Sequence, residues 1–190
     1  MRKIILAMQM SLDGFVEGDN GDMSFLNTQD HSLWEGVFRM IENVDTCVMG
    51  RVMFPGYRDY WKSCLKPGTT ATADEVKYAT WADKTQHIVF SKTLKDPQWQ
   101  NTRVVSSPVV DEIRKLKSSA GGDIYVVGGA MLGRTVLDAG LADEYRLTIA
   151  PILVGKGKSL LNPLSAAHKL KPVKTEQLKS GSIVLNFQNA

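Results

Sequence analysis

Four short segments carry residues that can bind an anion or move a proton. Residues 126–132 read VVGGAML, where an apolar run meets Gly128-Gly129 and then a helical pattern. A glycine pair there leaves bare N–H groups at the positive end of a helix, which suits a phosphate. The same pair also serves a tight turn. Residues 47–53, CVMGRVM, set Gly50-Arg51 after a second apolar run, and a guanidinium is a planar fork for phosphate oxygens. Residues 87–94, HIVFSKTL, offer Ser91, Lys92 and Thr93 after a third. Residues 8–15, MQMSLDGF, lead into Ser11-Leu12-Asp13-Gly14, a turn-forming run that carries a carboxylate. Any one of these reads as easily as a turn or a surface ion pair. In succession they suit a large ligand with more than one phosphate, such as a dinucleotide.

The elements around these segments alternate. The pattern predicts a strand over 3–10 and then a long, turn-rich loop of the kind that often carries function. A helix follows over 31–42, with Leu33, Trp34, Val37, Phe38 and Ile41 on one face. A short strand is expected over 46–50, and a turn or short helix after it, broken at Pro55-Gly56. Thr72 with Glu75 three residues on is a capping box for a helix over 72–82. Strands are expected over 86–91 and 102–107. Ser107-Pro108 reads as cap and first residue of a helix whose stripe is Val109, Ile113, Leu116 and Ala120. A strand over 123–129, a helix over 130–139 ended by Gly140, and strands over 144–155 and 182–188 complete the chain. Alternating strands and helices predict a mainly parallel sheet covered on both faces. No convincing crossover helix follows residue 140, so antiparallel strands are expected at an edge. Ligands of such sheets bind beyond the carboxyl ends of the strands, where the four segments fall.

Composition narrows the function. The 190 residues are 43% hydrophobic and 23% charged, with a net charge of +3, which is too mild to argue for nucleic acid. Cys47 and Cys64 make no disulfide framework, and no cysteine or histidine spacing suggests a metal. The amino terminus lacks the long apolar stretch and cleavage site of a signal peptide, and no run is long enough to span a membrane. A cytoplasmic protein of one domain over 1–190 is expected. GKGKS at 155–159 imitates a P-loop, but its required first glycine would be Ile152.

Taken together, the segments resemble the dihydrofolate reductase fold. More closely, they resemble the RibD C-terminal family, the reductase part of a bifunctional deaminase–reductase of riboflavin biosynthesis. The resemblance covers nearly the whole chain. It rests on MSLDGF (10–15), GDMSFL (21–26), VMGRVMF (48–54) and HIVFSKTL (87–94), and above all on VVGGAMLGRTVLDAGLADEYRLTIAPILVGKGKSLL (126–161). It implies an α/β three-layer fold with helices on both faces of a mainly parallel sheet and antiparallel C-terminal strands.

It also implies NADPH as cofactor and a homodimer formed through the strand-rich C-terminal part. By the resemblance, Gly128, Gly129, Ala130, Met131 and Leu132 hold the cofactor phosphates and ribose. Arg51, Lys92 and Ser91 face the 2′-phosphate side, Gly50 and Met53 are further cofactor contacts, and Ala7, Leu12, Asp13 and Gly14 line the nicotinamide. Met53 stands where the family has a threonine, so one hydroxyl contact is missing. Asp13 and Glu35 are the candidate catalytic acids, Glu35 lying near where dihydrofolate reductases place their pterin-binding acid. Phe25, Trp34 and Arg58 are the candidate substrate contacts. The implied activity is that of 5-amino-6-(5-phosphoribosylamino)uracil reductase. The alternatives are reduction of a pterin and a non-catalytic NADP(H)-binding protein.

Overall fold

The computed structural model describes residues 1–26 and 30–190. Ten strands and five α-helices follow in chain order: β1 (Ile4–Ser11), β2 (Phe15–Glu17), α1 (His31–Ile41), β3 (Val44–Gly50), α2 (Phe54–Cys64), α3 (Ala73–Lys84), β4 (Gln86–Phe90), β5 (Thr102–Val105), α4 (Val109–Ser118), β6 (Asp123–Gly128), α5 (Ala130–Asp138), β7 (Glu144–Ala150), β8 (Lys158–Ser159), β9 (Leu170–Gln177) and β10 (Ile183–Asn189). Eight strands form one sheet in the order β5-β4-β3-β6-β1-β7-β10-β9, and β2 pairs with β8 in a separate ribbon. β5 through β7 run parallel, and β10 and β9 add antiparallel at one edge. This is the expected mixed architecture.

Strand alternation sorts the core into two layers. Ile4, Leu6, Val48, Ile88, Ile124 and Val126 face α4 and α5, meeting Ile113, Leu116, Leu132 and Val136. Ile5, Cys47, Met49, Val89 and Val127 face α1, α2 and α3, where Trp34, Tyr57 and Tyr78 pack. Parallel pairing puts the carboxyl ends of β4, β3, β6 and β1 side by side. The segments ending in Phe90, Gly50, Gly128 and Ser11 therefore open on one edge of the sheet.

Several boundaries differ from the sequence reading. Pro55 does not break a helix but lies in the first turn of α2, where its missing N–H would have no partner anyway. Ser107 is not the N-cap of α4; Pro108 takes that position, and the Ser107 hydroxyl instead lies 3.3 Å from Glu112 Oε2. Ala120 is exposed beyond the end of α4 and is not part of its stripe. β7 stops at Ala150 rather than running to residue 155, because Pro151 has no N–H to continue the ladder. β9 had no expected counterpart; five consecutive residues of it are exposed, so it lacks the alternation that marks a half-buried strand. The capping box of α3 forms as expected, with Thr72 Oγ1 accepting from Glu75 N at 3.2 Å and Glu75 Oε2 accepting from Thr72 N at 2.7 Å.

His87 lies fully buried on β4, stacked on Trp99 at 4.3 Å and edge-on to Tyr57. Among the described residues neither ring nitrogen has a hydrogen-bond partner, and burial pushes its pKa from 6.5 down to about 4. Between those values the unfolded chain binds a proton that the folded state refuses. Stability is therefore complete above pH 6.5 and falls as the pH drops toward 4, by roughly 3 kcal/mol in all. Denaturant unfolding at pH 7 and pH 4 should show this loss in the parent protein and a clearly smaller one in His87→Phe. Equal losses would remove His87 as the cause.

Candidate active site

The glycine pair at the end of β6 divides two tasks. A Cβ on Gly128 would lie 2.5 Å from Met53 Sδ and 2.8 Å from Met53 Cε, so the side-chain tip of Met53, from the turn after β3, packs over this glycine. Gly129 is different. It has φ +92, which L residues rarely adopt, and a Cβ there would meet nothing within 4 Å. It therefore faces open space at the N-cap of α5, which no side chain caps. The N–H groups of Ala130, Met131 and Leu132 are the unpaired donors of the first turn, at the positive end of the helix dipole. The side chain of Leu132 points into the core at 6% exposure, so only its N–H is available here. Met131 is 82% exposed beside it.

Gly50 also borders open space, with nothing within 4 Å of its Cβ position. Arg51 is exposed, and among the described residues it forms no ion pair or hydrogen bond. Lys92, exposed at the end of β4, is equally unpaired. Ser91 Oγ accepts from Thr93 N at 3.1 Å and Leu94 N at 2.9 Å, which fixes that turn and leaves its proton free to donate. One edge thus combines free backbone donors, two cations unpaired among the described residues and glycine openings, donors that can receive an anion.

The loop after β1 is clamped. Asp13 Oδ1 accepts from Ser11 Oγ at 2.6 Å and from Val154 N at 3.1 Å, and Oδ2 accepts from Gly155 N at 2.7 Å. Leu12 N donates to Ile152 O, and Leu160 N to Gly14 O. Gly14 takes φ +85 in this turn. Farther along, Lys158 pairs with Glu17 and Lys156 with Asp19. Residues 11–19 and 152–160 are therefore bound to each other along their length. The Ser11 hydroxyl, with the Val154 and Gly155 amides, lowers the Asp13 pKa to about 2. A group so acidic holds no proton to give at neutral pH. In this structure Asp13 clamps the two loops together.

Three other sequence candidates have positions or partners of their own. Glu35 lies on the outer side of α1, its side chain 58% exposed and 3.8 Å from His31 Nε2, opposite the face carrying Leu33, Trp34 and Ile41. Trp34 is 7% exposed among Phe38, Trp61 and Tyr78, so it is core rather than a platform for substrate. Arg58 is occupied by Asp59 at 2.8 Å and the Pro97 carbonyl at 3.0 Å, tying α2 to a loop instead of waiting for a phosphate. Phe25 is half-buried in the turn just before residues 27–29, which lie outside the described residues. Ala7 is 8% exposed on the α1 face of β1, and Leu12 is 66% exposed at its end.

Two hollows of about 320 Å³ lie elsewhere, around Arg2, Asp45 and Gln86 and around Lys3, Lys117 and Glu144. Both sit at the amino ends of the strands, and their charges are spent on each other, as in Lys3–Glu144 and Lys117–Asp143. Open α/β sheets bind ligands at the other edge. Among the described residues, no group of three or more His, Cys, Asp or Glu side chains is placed to hold a metal ion. None of the described helices is long and apolar enough to cross a membrane.

A sequence profile of the RibD C-terminal domain matches residues 2–184. The uncharacterized protein YyaP of Bacillus subtilis (strain 168) is 31% identical over 186 residues, covering 98% of this chain and 94% of its own. Among solved structures, a diaminohydroxyphosphoribosylaminopyrimidine deaminase/5-amino-6-(5-phosphoribosylamino)uracil reductase from Thermotoga maritima superposes with a TM-score of 0.69 at 18% identity, over all of this chain and 57% of that one. A dihydrofolate reductase from Enterococcus faecalis complexed with NADP(H) superposes with a TM-score of 0.63 at 13% identity, over 98% of this chain and 96% of that one. These likenesses confirm the fold.

The clamp has a direct readout. In Asp13→Ala the amides of Val154 and Gly155 lose their acceptor, and their hydrogen exchange should speed up at least tenfold while the amides of β6 keep their protection. Unchanged exchange at both amides would show that the two loops hold together without the carboxylate.

Proposed function

The chain belongs to the RibD C-terminal domain family, and on that footing we propose that it is an NADPH-dependent reductase. Its reaction is hydride transfer to a small heterocyclic or ribosyl substrate, resembling that of 5-amino-6-(5-phosphoribosylamino)uracil reductase. The observation that carries this reading is the uncapped N-terminus of α5, with Gly129 facing open space and two unpaired cations on neighbouring strand ends. A long anion with phosphates at two places fits such a set; a metal or a single carboxylate does not explain it. The dihydrofolate reductase neighbour, solved with NADP(H), supports the same choice.

Each residue then has a physical task. The amides of Ala130, Met131 and Leu132 hold the pyrophosphate. Arg51 and Lys92 receive the 2′-phosphate, with the Ser91 hydroxyl as a further donor. Gly50 leaves room for the ribose edge, and Met53 keeps the β3 turn seated on Gly128. Ala7 and Gly14 admit the flat nicotinamide, and Leu12 excludes water from one side of it. The cofactor, when bound, supplies the hydride; the protein supplies orientation and a dry pocket. Asp13 is ionised and Glu35 faces outward, so the proton comes from solvent. The outward Glu35 also argues against a pterin substrate held by an acid on α1.

Removal of the Arg51 guanidinium separates this reading from a general anion site. Arg51→Ala should weaken NADPH binding on the order of tenfold or more, the usual cost of one charge-assisted bond. NADH binding should stay nearly unchanged, with both followed by tryptophan fluorescence. Equal losses for both nucleotides, or none, would count against Arg51 as the 2′-phosphate contact.

A further inference from the structure

The amino end of α5 lacks the side-chain acceptor that helices commonly place there. Its first helical bond runs from Gly133 N to Gly129 O at 2.9 Å, so the N–H groups of residues 129–132 have no partner within the helix. Gly129, at the N-cap, has no side chain to offer one. Ala130 and Leu132 are buried, and Met131, between them, is 82% exposed. Its thioether makes no hydrogen bond or ring contact with a described residue, and sulfur is at best a weak acceptor.

The eight methionines differ in access. Met10 and Met49 are buried in the core, and Met8, Met40 and Met53 are half-buried. Met8 and Met53 underlie the glycine turn, their sulfurs 4.0 Å and 2.5 Å from the Cβ position of Gly128. There the thioether fills space between packed elements, as methionine usually does. Met131 fills none. Met1 and Met23 are also exposed, but at the chain start and in the loop ahead of α1. Met131 is the methionine that joins open access to a run of unpaired donors.

An open thioether is oxidised by hydroperoxides. With hydrogen peroxide, the sulfur lone pair attacks one oxygen, the O–O bond breaks and an S–O bond forms. Sulfur loses two electrons to the peroxide. The other oxygen leaves as hydroxide and takes the proton of the first, giving the sulfoxide and water. The sulfoxide oxygen is a polar acceptor. Counted in bonds from Cα, it stands where Oε1 of a glutamine would. In a capping box that glutamine oxygen reaches back to free N–H groups of its helix.

We propose that Met131 is a reversible oxidation site for hydroperoxides, and that its sulfoxide caps α5 and competes with the cofactor phosphates for the amides of residues 129–132. The identity of the displaced anion rests on the reductase reading; the cap does not. The return step belongs to methionine sulfoxide reductases, one for each sulfoxide epimer.

The test treats the protein with hydrogen peroxide and then removes it. Peptide mass spectrometry follows each methionine, hydrogen exchange follows α5, and tryptophan fluorescence follows NADPH binding. Met131 should oxidise at least as fast as Met23, with Met10 and Met49 left reduced. In the ligand-free oxidised protein at least one amide of residues 129–132 should exchange more slowly, and NADPH affinity should fall on the order of fivefold or more. Both methionine sulfoxide reductases with dithiothreitol should reverse the two changes. Met131→Gln should show both without peroxide. In Met131→Leu, where Met1 and Met23 still oxidise, treatment should alter neither reading from its starting value. Simple oxidative damage would speed exchange at the helix end. Faster or unchanged exchange, unchanged NADPH affinity, a reduced Met131, or a peroxide effect that persists in Met131→Leu would overturn the proposal. If the untreated protein fails to bind NADPH, the reductase reading falls, and exchange at residues 129–132 still decides the cap on its own.

Discussion

The site depends on how closely the turn after β3 can approach the end of β6. Met53 sits where a side chain on residue 128 would have to go. Behind it Phe54, fully buried, anchors the start of α2 in the core. A Cβ at 128 would meet the thioether end of Met53, a flexible side chain that would have to swing aside. The close approach keeps a cation next to the helix N-terminus, and the neighbouring Gly129 is left bare for a different reason, its open face and positive φ. Two adjacent glycines thus answer to two constraints, one of packing and one of access.

The distribution of charge follows the same division. Acidic groups near the carboxyl edge serve as internal acceptors: Asp13 for the strap at 154–155, Asp30 for α1 and the β9–β10 turn, Glu17 and Asp19 for Lys158 and Lys156. Arg51 and Lys92 remain without partners among the described residues. The acids there are held by partners of their own, so none of them pairs with Arg51 or Lys92.

Much of this was legible in the sequence. Alternating apolar runs and helical stripes showed a parallel sheet with two covered faces, and the capping box at Thr72 fixed one helix start to the residue. The glycine pair and Gly50-Arg51 stood out because they fall at successive strand ends, although each alone reads as easily as a turn or a surface ion pair. Individual side-chain roles were not legible. Asp13 reads as an acid in a loop, but the amides of residues 154 and 155 that depress its pKa are distant in sequence. Glu35 and Trp34 are neighbours on one helix, and only the packing of α1 tells which faces water. Arg58 is taken by a carbonyl in a loop 39 residues away.

The central claim is that the N-terminus of α5 and the turn after β3 hold the two phosphate-bearing parts of NADPH. Amide chemical shifts of the isotope-labelled protein on addition of NADPH test it most directly. The account predicts the largest shifts at Gly129, Ala130, Met131 and Leu132 and at Gly50, Arg51 and Val52, with little change around Arg2 and Lys117 at the opposite edge. Shifts confined to that opposite edge, or none at saturating NADPH, would contradict it.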